Sequence, residues 1–336
     1  MNMNKFSLHN NKRLLIGIAV VLGVILLGIG IYFLFGKLFS QGPQTSYDPI
    51  PISQIQGNYN YTFPTVESQI ILDQTSPEAK LIYLNSKADP VLSPSFNLAN
   101  QFAQALNADN KKISLTSASY YSDSSSVFYS VPNNSIDISI YDSSEKRFIL
   151  DEDSAIQKNK DALTQLGIKD PPVGEFAYSV KYMSNASSEP FEVEKNNADL
   201  IQVSTYLTVD NISVKKEFDN GIITTFVDEF GNVSKIFYSY LGMILSEQQY
   251  PLKSPAEAYN EMLSGFGTVF VQTKPYTEPQ QINKVTITNY VIYYYYIGKE
   301  GNLIPYYSFQ GTDENGDEVE ILVPAIQSQY LVYSNL

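Results

Sequence analysis

A run of 22 residues without a charge, LLIGIAVVLGVILLGIGIYFLF from Leu14 to Phe35, constrains this chain more than any other feature. At 1.5 Å per residue a helix of that length spans about 33 Å, which matches the hydrocarbon core of a bilayer. The run therefore predicts a transmembrane helix. A cleaved secretory signal is the competing reading, but its apolar stretch is usually about 7 to 15 residues long and ends at small residues. Here Gly36, Lys37, Leu38 and Phe39 follow the run, without a small-x-small site. Lys5, Lys12 and Arg13 precede it with no acid among them, so the positive-inside rule puts the N-terminus in the cytoplasm and the remainder outside. The expected location is the cell membrane, as a single-pass protein touching the bilayer through residues 14–35.

Charge supports that division. Four of the 22 basic residues lie at or before Lys37, and all 35 acids lie beyond it, which leaves the outer portion at −17. Such a charge keeps a domain soluble and away from anionic lipid, and it disfavours nucleic acid, whose phosphates need clustered Lys and Arg. Ala19 and Gly23 form one small-xxx-small pair, which allows the span to self-associate into a homo-oligomer, although glycine is common in membrane helices anyway.

Residues 1–13 read as a cytoplasmic tail, 14–35 as the span and 36–64, rich in Gln, Pro, Asn and Ser, as a stalk. Beyond the stalk the pattern changes to alternation. Ile136, Ile138 and Ile140 face one way and Asp137, Ser139 and Tyr141 the other, as in a half-buried strand. Ile201, Val203, Leu207 and Val209 repeat the pattern, as do Val319, Ile321 and Val323. Phe230, Gly231 and Asn232 supply a hairpin turn. Helical spacing interrupts the strands at Asn97–Leu106, at Ser154–Leu166 before Gly167, and after Ser254, where an N-cap serine, Pro255 and Glu257 make the clearest helix start in the chain. The expected architecture is α+β: antiparallel-sheet-rich, with three short helices, divided into a 65–250 domain and a 251–336 helix-plus-sheet unit.

Chemistry is constrained by what is missing. The chain has no cysteine and one histidine, His9, so thiolate catalysis, cysteine-rich metal sites and multi-histidine zinc sites are excluded, and no metal or cofactor is expected. Asp313, Asn315, Gly316 and Asp317 have the look of a calcium loop, but the twelfth position is Pro324, where a bidentate Glu would be needed, so a hairpin turn is expected. In the acidic cluster Asp151, Glu152 and Asp153, the last is read as a helix cap. Ser143 and Lys146 have S-x-x-K spacing, but they lie in a polar turn and no K-T-G follows. No catalytic residue is assigned and the chain is not read as an enzyme.

The aromatic strand is the most distinctive local feature. Val291, Tyr293, Tyr295 and Ile297 share one face and Tyr290, Ile292, Tyr294 and Tyr296 the other, so the strand is either central and covered on both sides or displays one face. Pro305, in the run that follows, demands an edge position or a bulge. Tyr290, Tyr294, Tyr296, Tyr306 and Tyr307 are the candidate binding residues if a face is displayed.

Several of these segments together resemble YycH/YycI-like and PepSY-like extracytoplasmic proteins of bacterial envelopes. The resemblance rests on the helix opening Ser254, Pro255, Ala256, Glu257 and Ala258, and on the strand from Tyr293 to Tyr296. It also rests on the segment Leu303, Ile304, Pro305, Tyr306, Tyr307, Ser308 and Phe309, and on the closing Val323, Pro324 and Ala325. It covers roughly 85 residues, all in the C-terminal third of the chain, and brings no catalytic residues. It implies regulation of a membrane partner, such as a sensor kinase or envelope enzyme. The leading expectation is accordingly a non-catalytic, membrane-anchored protein that binds or regulates an envelope protein. Two alternatives stand beside it: a module that stacks tyrosine rings on envelope glycans, and a hydrolase with two carboxylates about 5 to 9.5 Å apart.

Overall fold

Serine and aspartate set where the helices begin. In the computed structural model α1 (Phe96–Ala105) is capped by Ser95, whose side chain accepts the Leu98 N–H at 3.1 Å. Helix α2 (Glu152–Gln165) is capped by Asp151, which accepts the Ser154 N–H at 2.7 Å. The capping carboxylate is thus Asp151 and not Asp153, because the helix starts two residues earlier than expected and Asp153 falls inside its first turn, where it still meets the positive end of the helix dipole. In α3 (Pro255–Leu263) the Ser254 side chain accepts the Glu257 N–H, and the Glu257 carboxylate accepts the Ser254 N–H at 2.7 Å, a complete capping box.

The structure describes residues 47–336 apart from 54, 56, 60, 69, 142–150, 172, 187–189, 217, 219, 273–279, 298, 300, 335 and 336. The expected span at 14–35 and cytoplasmic tail at 1–13 lie outside the described residues, as do Ser143 and Lys146. Among the described residues no helix is long and apolar enough to cross a membrane.

The described residues build an α+β fold of three α-helices and a large, mostly antiparallel sheet. Each helix is followed in the chain by strands that join the sheet. After α1 come Asn110–Ile113, Ser117–Tyr121, Ser125–Ser130 and Ser135–Ile140, a meander paired strand to strand. After α2 come Glu175–Ser184, Leu200–Val209, Ile212–Lys215, Ile223–Asp228 and Val233–Tyr238. The last two form the expected hairpin across Gly231, whose φ of 78° only a residue tolerant of the left-handed region adopts easily. After α3 come Thr268–Gln272, Lys284–Tyr295, Pro305–Asp313 and Glu318–Pro324.

The strands on either side of residue 250 belong to the same sheet. Ser213–Lys215 runs parallel to Tyr293–Tyr295, which joins the α2 strands to the α3 strands. A smaller sheet pairs Glu78–Leu84 with Met243–Pro251 and with Gly301–Leu303. The chain from Pro49 onward belongs to the folded unit, so the described part of the expected stalk is not a free tether. Ile50 and Ile52 are buried in a parallel pair with Leu331–Ser334. Pro305 is neither at an edge nor at a bulge. It opens a central strand, where its missing N–H deprives the ladder of nothing.

The principal core lies between one face of the sheet and α1 and α2. Phe102 of α1, fully buried, packs edge-on against Tyr238 at 5.6 Å between ring centroids. Burying such a side chain stabilises by about 1.5–3 kcal/mol. Helix α2 is pinned by Asn159, which donates to Thr205 Oγ1 at 3.0 Å and accepts from Thr225 Oγ1 at 2.6 Å, all three residues being fully buried.

Candidate functional site

The tyrosine strand is covered on both faces. Tyr293, Tyr294, Tyr295 and Tyr296 are all buried, as are Tyr306 and Tyr307, and Tyr290 is half-buried against the Tyr307 and Phe309 rings. A stacking platform for sugar rings needs exposed ring faces, and these rings spend theirs on packing. Their hydroxyls tie the core to backbone carbonyls: Tyr294 donates to Lys80 O at 2.7 Å, Tyr296 to Ser239 O and Tyr307 to Lys253 O at 2.8 Å. Burial pushes the hydroxyls of Tyr294, Tyr296 and Tyr307 well above the usual phenol range.

The C-terminal segments singled out in the sequence do meet. Tyr307 reaches the residue before the α3 cap, Tyr259 of α3 packs on Phe309, and the Lys253 ammonium donates to Pro324 O at 3.0 Å and pairs with Glu261 at 2.6 Å. Lys253 is 4% exposed, and burial lowers its pKa while Glu261 opposes that shift.

On the other face of these strands lies a cavity of about 480 Å³, lined among others by Lys181, Lys215, Phe218, Gln310 and Glu318, with Glu320 at its wall. Glu320 is 1% exposed. Its carboxylate accepts from Phe218 N at 2.7 Å, Tyr293 OH at 2.7 Å and Ser308 Oγ at 2.5 Å. Burial raises its pKa, against the pull of those donors and of Lys215. With three donors converging on it, Glu320 ties the backbone at Phe218 to the central strands. The Asp313 turn is the expected hairpin turn: its carboxylate accepts the N–H groups of Asn315 and Asp317 at 2.8 and 2.9 Å. Among the described residues no group of three or more metal-ligating side chains converges.

The two ends of the large sheet differ. At one, Thr268–Gln272 is sealed: the Asn58 amide donates to Val271 O at 2.7 Å and accepts Val271 N–H at 2.8 Å, doing what a neighbouring strand would do. Gly57 lets the backbone come this close, since a Cβ there would stand 2.1 Å from Val269 O. At the other end Asn110–Ile113 is exposed at every residue and pairs only inward, with Ser117–Tyr121. The meander it begins is covered by α1 on the face of Ala118, Tyr120, Val127 and Tyr129, while the opposite face leaves Tyr121 (49%) and Phe128 (41%) exposed. Ile113 (53%) and Leu115 (98%) stand at its tip. The sequence reading missed this exposure. The signal was present in Tyr121 and Phe128, which sit out of phase with the buried Tyr120, Val127 and Tyr129. Glu320 had a signal too, as the one charge inside the buried run from Val319 to Ile326.

No family model matches the chain, and no curated protein does. Among solved structures the chain is similar to YycH from Bacillus subtilis, at 14% identity and a TM-score of 0.37, over 68% of this chain and 48% of that one. The chain thus spans about half the length of that structure.

Proposed function

We propose that this chain is a non-catalytic, membrane-anchored extracytoplasmic protein that binds an envelope protein through the open end of its sheet. The observation that carries the reading is the exposure of Tyr121 and Phe128 on the face of the meander turned away from α1, because a protein rarely leaves neighbouring large apolar side chains uncovered unless something docks there. Two further features support it. The uncharged run from Leu14 to Phe35, with its basic flank, is suited to anchoring the chain, and the −17 charge beyond it is suited to an aqueous compartment. The polar side chains buried near the one carboxylate-lined cavity described above are engaged by the fold itself, which argues for binding rather than chemistry.

The test is photocrosslinking from full-length chain in intact cells, with a photoreactive phenylalanine at Tyr121 or Phe128 and a control at the exposed Glu247. A discrete protein adduct from the first two positions and none from the control is expected. Adducts to lipid or polysaccharide alone, or identical patterns from all three positions, refute the reading. Anchoring is checked on the same cells: the chain should stay with membranes in alkaline carbonate, and external protease should remove the part beyond the span.

A further inference from the structure

We infer that the Asn110–Ile113 edge is a strand-addition site for an extended, acidic segment of a partner protein with an apolar residue beside each acid. The inference rests on the proposed binding role and specifies the chemistry of the partner. Three observations lead to it.

The first is backbone geometry. Ser114 N–H donates to Ser117 O at 2.9 Å, so in this antiparallel hairpin the inward-bonded residues are Ser114, Lys112 and Asn110. Lys111 and Ile113 therefore turn their N–H and C=O groups outward, where an added strand would meet them. The far edge of the same sheet has its equivalent groups met by Asn58, which makes the open edge a difference within one fold rather than a general property of it.

The second is the hollow beside the edge. A cavity of about 390 Å³ lies between the start of α1 and the edge strand, lined by Phe96, Asn97, Lys111, Ile113, Leu115 and Tyr120 among others. Side chains of an added strand alternate between faces, so those beside Lys111 and Ile113 enter this hollow and those beside Asn110 and Lys112 project on the open face. Ile113 and Leu115 supply an apolar wall for the first set.

The third is charge, which selects the occupant. Lys111 and Lys112 are consecutive and exposed in a chain whose net charge is −13. Lys111 Nζ lies 5.3 Å from the Tyr120 ring centroid, at the mouth of the hollow. A second copy of this chain is a poor fit, because two-fold pairing centred on Lys111 or Lys112 sets lysine against lysine, and pairing centred on Ile113 runs into the Ser114–Ser117 turn. Lysines on an edge discourage self-association, yet they favour an incoming strand that carries carboxylates. A partner segment alternating Val, Ile or Leu with Glu or Asp places its apolar side chains in the hollow beside Lys111 and Ile113 and its carboxylates on the open face beside Lys112.

The probe is a fluorescent pentapeptide, acetyl-Glu-Val-Glu-Val-Glu-amide, titrated against full-length chain in detergent micelles, with a lysine-for-glutamate peptide and a peptide N-methylated at alternate residues as controls. Binding of the acidic peptide, weakening with salt, at least tenfold weaker binding of both controls, and slowed amide exchange at Lys111 and Ile113 are expected. A Lys111→Glu, Lys112→Glu double variant, whose changes are exposed and whose fold is checked by circular dichroism, should lose at least tenfold in affinity. Equal binding of the basic or N-methylated peptide, protection elsewhere, no binding, or unchanged affinity of the double variant overturns the inference. Photocrosslinks from Tyr121 and Phe128 that survive in the double variant would leave the broader binding role standing while removing this edge from it. Absence of crosslinks in the unaltered chain removes the broader role instead.

Discussion

Replacing Glu320 tests how the central strands are held together. Three donors end on its carboxylate: the Phe218 N–H, the Tyr293 hydroxyl and the Ser308 hydroxyl. Tyr293 and Ser308 are fully buried. In Glu320→Ala each orphaned donor costs about 1–3 kcal/mol, offset in part because a buried carboxylate no longer has to be desolvated, for a net loss of about 3–5 kcal/mol. Glu320→Gln differs. Its carbonyl can accept from Phe218 while its amide donates to the two hydroxyls, which accept as well as donate, so the loss stays within about 1.5 kcal/mol. The pH dependence separates the variants further. Burial raises the folded-state pKa of Glu320 above its ordinary value of 4.5, so the folded state binds this proton more tightly than the unfolded chain. The contribution is fully present below the unfolded pKa and is lost as pH rises through the folded one. Urea unfolding of the full chain in detergent, followed by circular dichroism, should show wild type losing stability relative to Glu320→Gln as pH rises from about 4.5 toward neutrality. An alanine variant within about 1 kcal/mol of wild type, or parallel pH profiles for wild type and glutamine, refutes the tie.

Four other outcomes follow from the same structure. Asn159→Ala removes both bonds that dock α2 and leaves a small cavity, so it should destabilise by about 2–4 kcal/mol in denaturant titration. Ser254→Ala breaks the capping box of α3 and should cost about 0.5–2 kcal/mol, with faster exchange at the Glu257 amide. Asn58→Ala unseals the Thr268–Gln272 edge, and sedimentation should reveal concentration-dependent association that wild type lacks at equal detergent. Alkaline titration followed by phenolate absorbance should leave Tyr294, Tyr296 and Tyr307 protonated beyond pH 10, their ordinary value. Because their folded pKa values are raised, stability falls as pH climbs above 10, and these rings should ionise only together with unfolding.

Much of the local structure was legible because it depends on near neighbours. The capping box at Ser254, the hairpin across Gly231 and the alternation of Ile136, Ile138 and Ile140 each follow from residues within a few positions of one another. The Asp151 cap was misplaced by two residues because three adjacent acids offer the same hydrogen-bond acceptor, and only the backbone conformation at the helix start selects among them. The tyrosine strand left two readings open, since aromatic residues on both faces suit a covered strand and a displayed one equally.

What the amino-acid sequence determined alone is the set of properties that add along the chain: a 22-residue uncharged run, the polarity of its flanks, the excess of acid beyond it, and an alternation that commits the remainder to strands with three helices among them. What tertiary structure decided is which strands meet. Parallel pairing of Ser213–Lys215 with Tyr293–Tyr295 buries the tyrosines. Glu320 is brought to Phe218 across 102 residues, and Asn58 to Val271 across 213, so one sheet edge is closed and the other left open. Contacts at such separations depend on strand order and register, which no local pattern encodes, and burial is a property of the assembled sheet rather than of any strand within it.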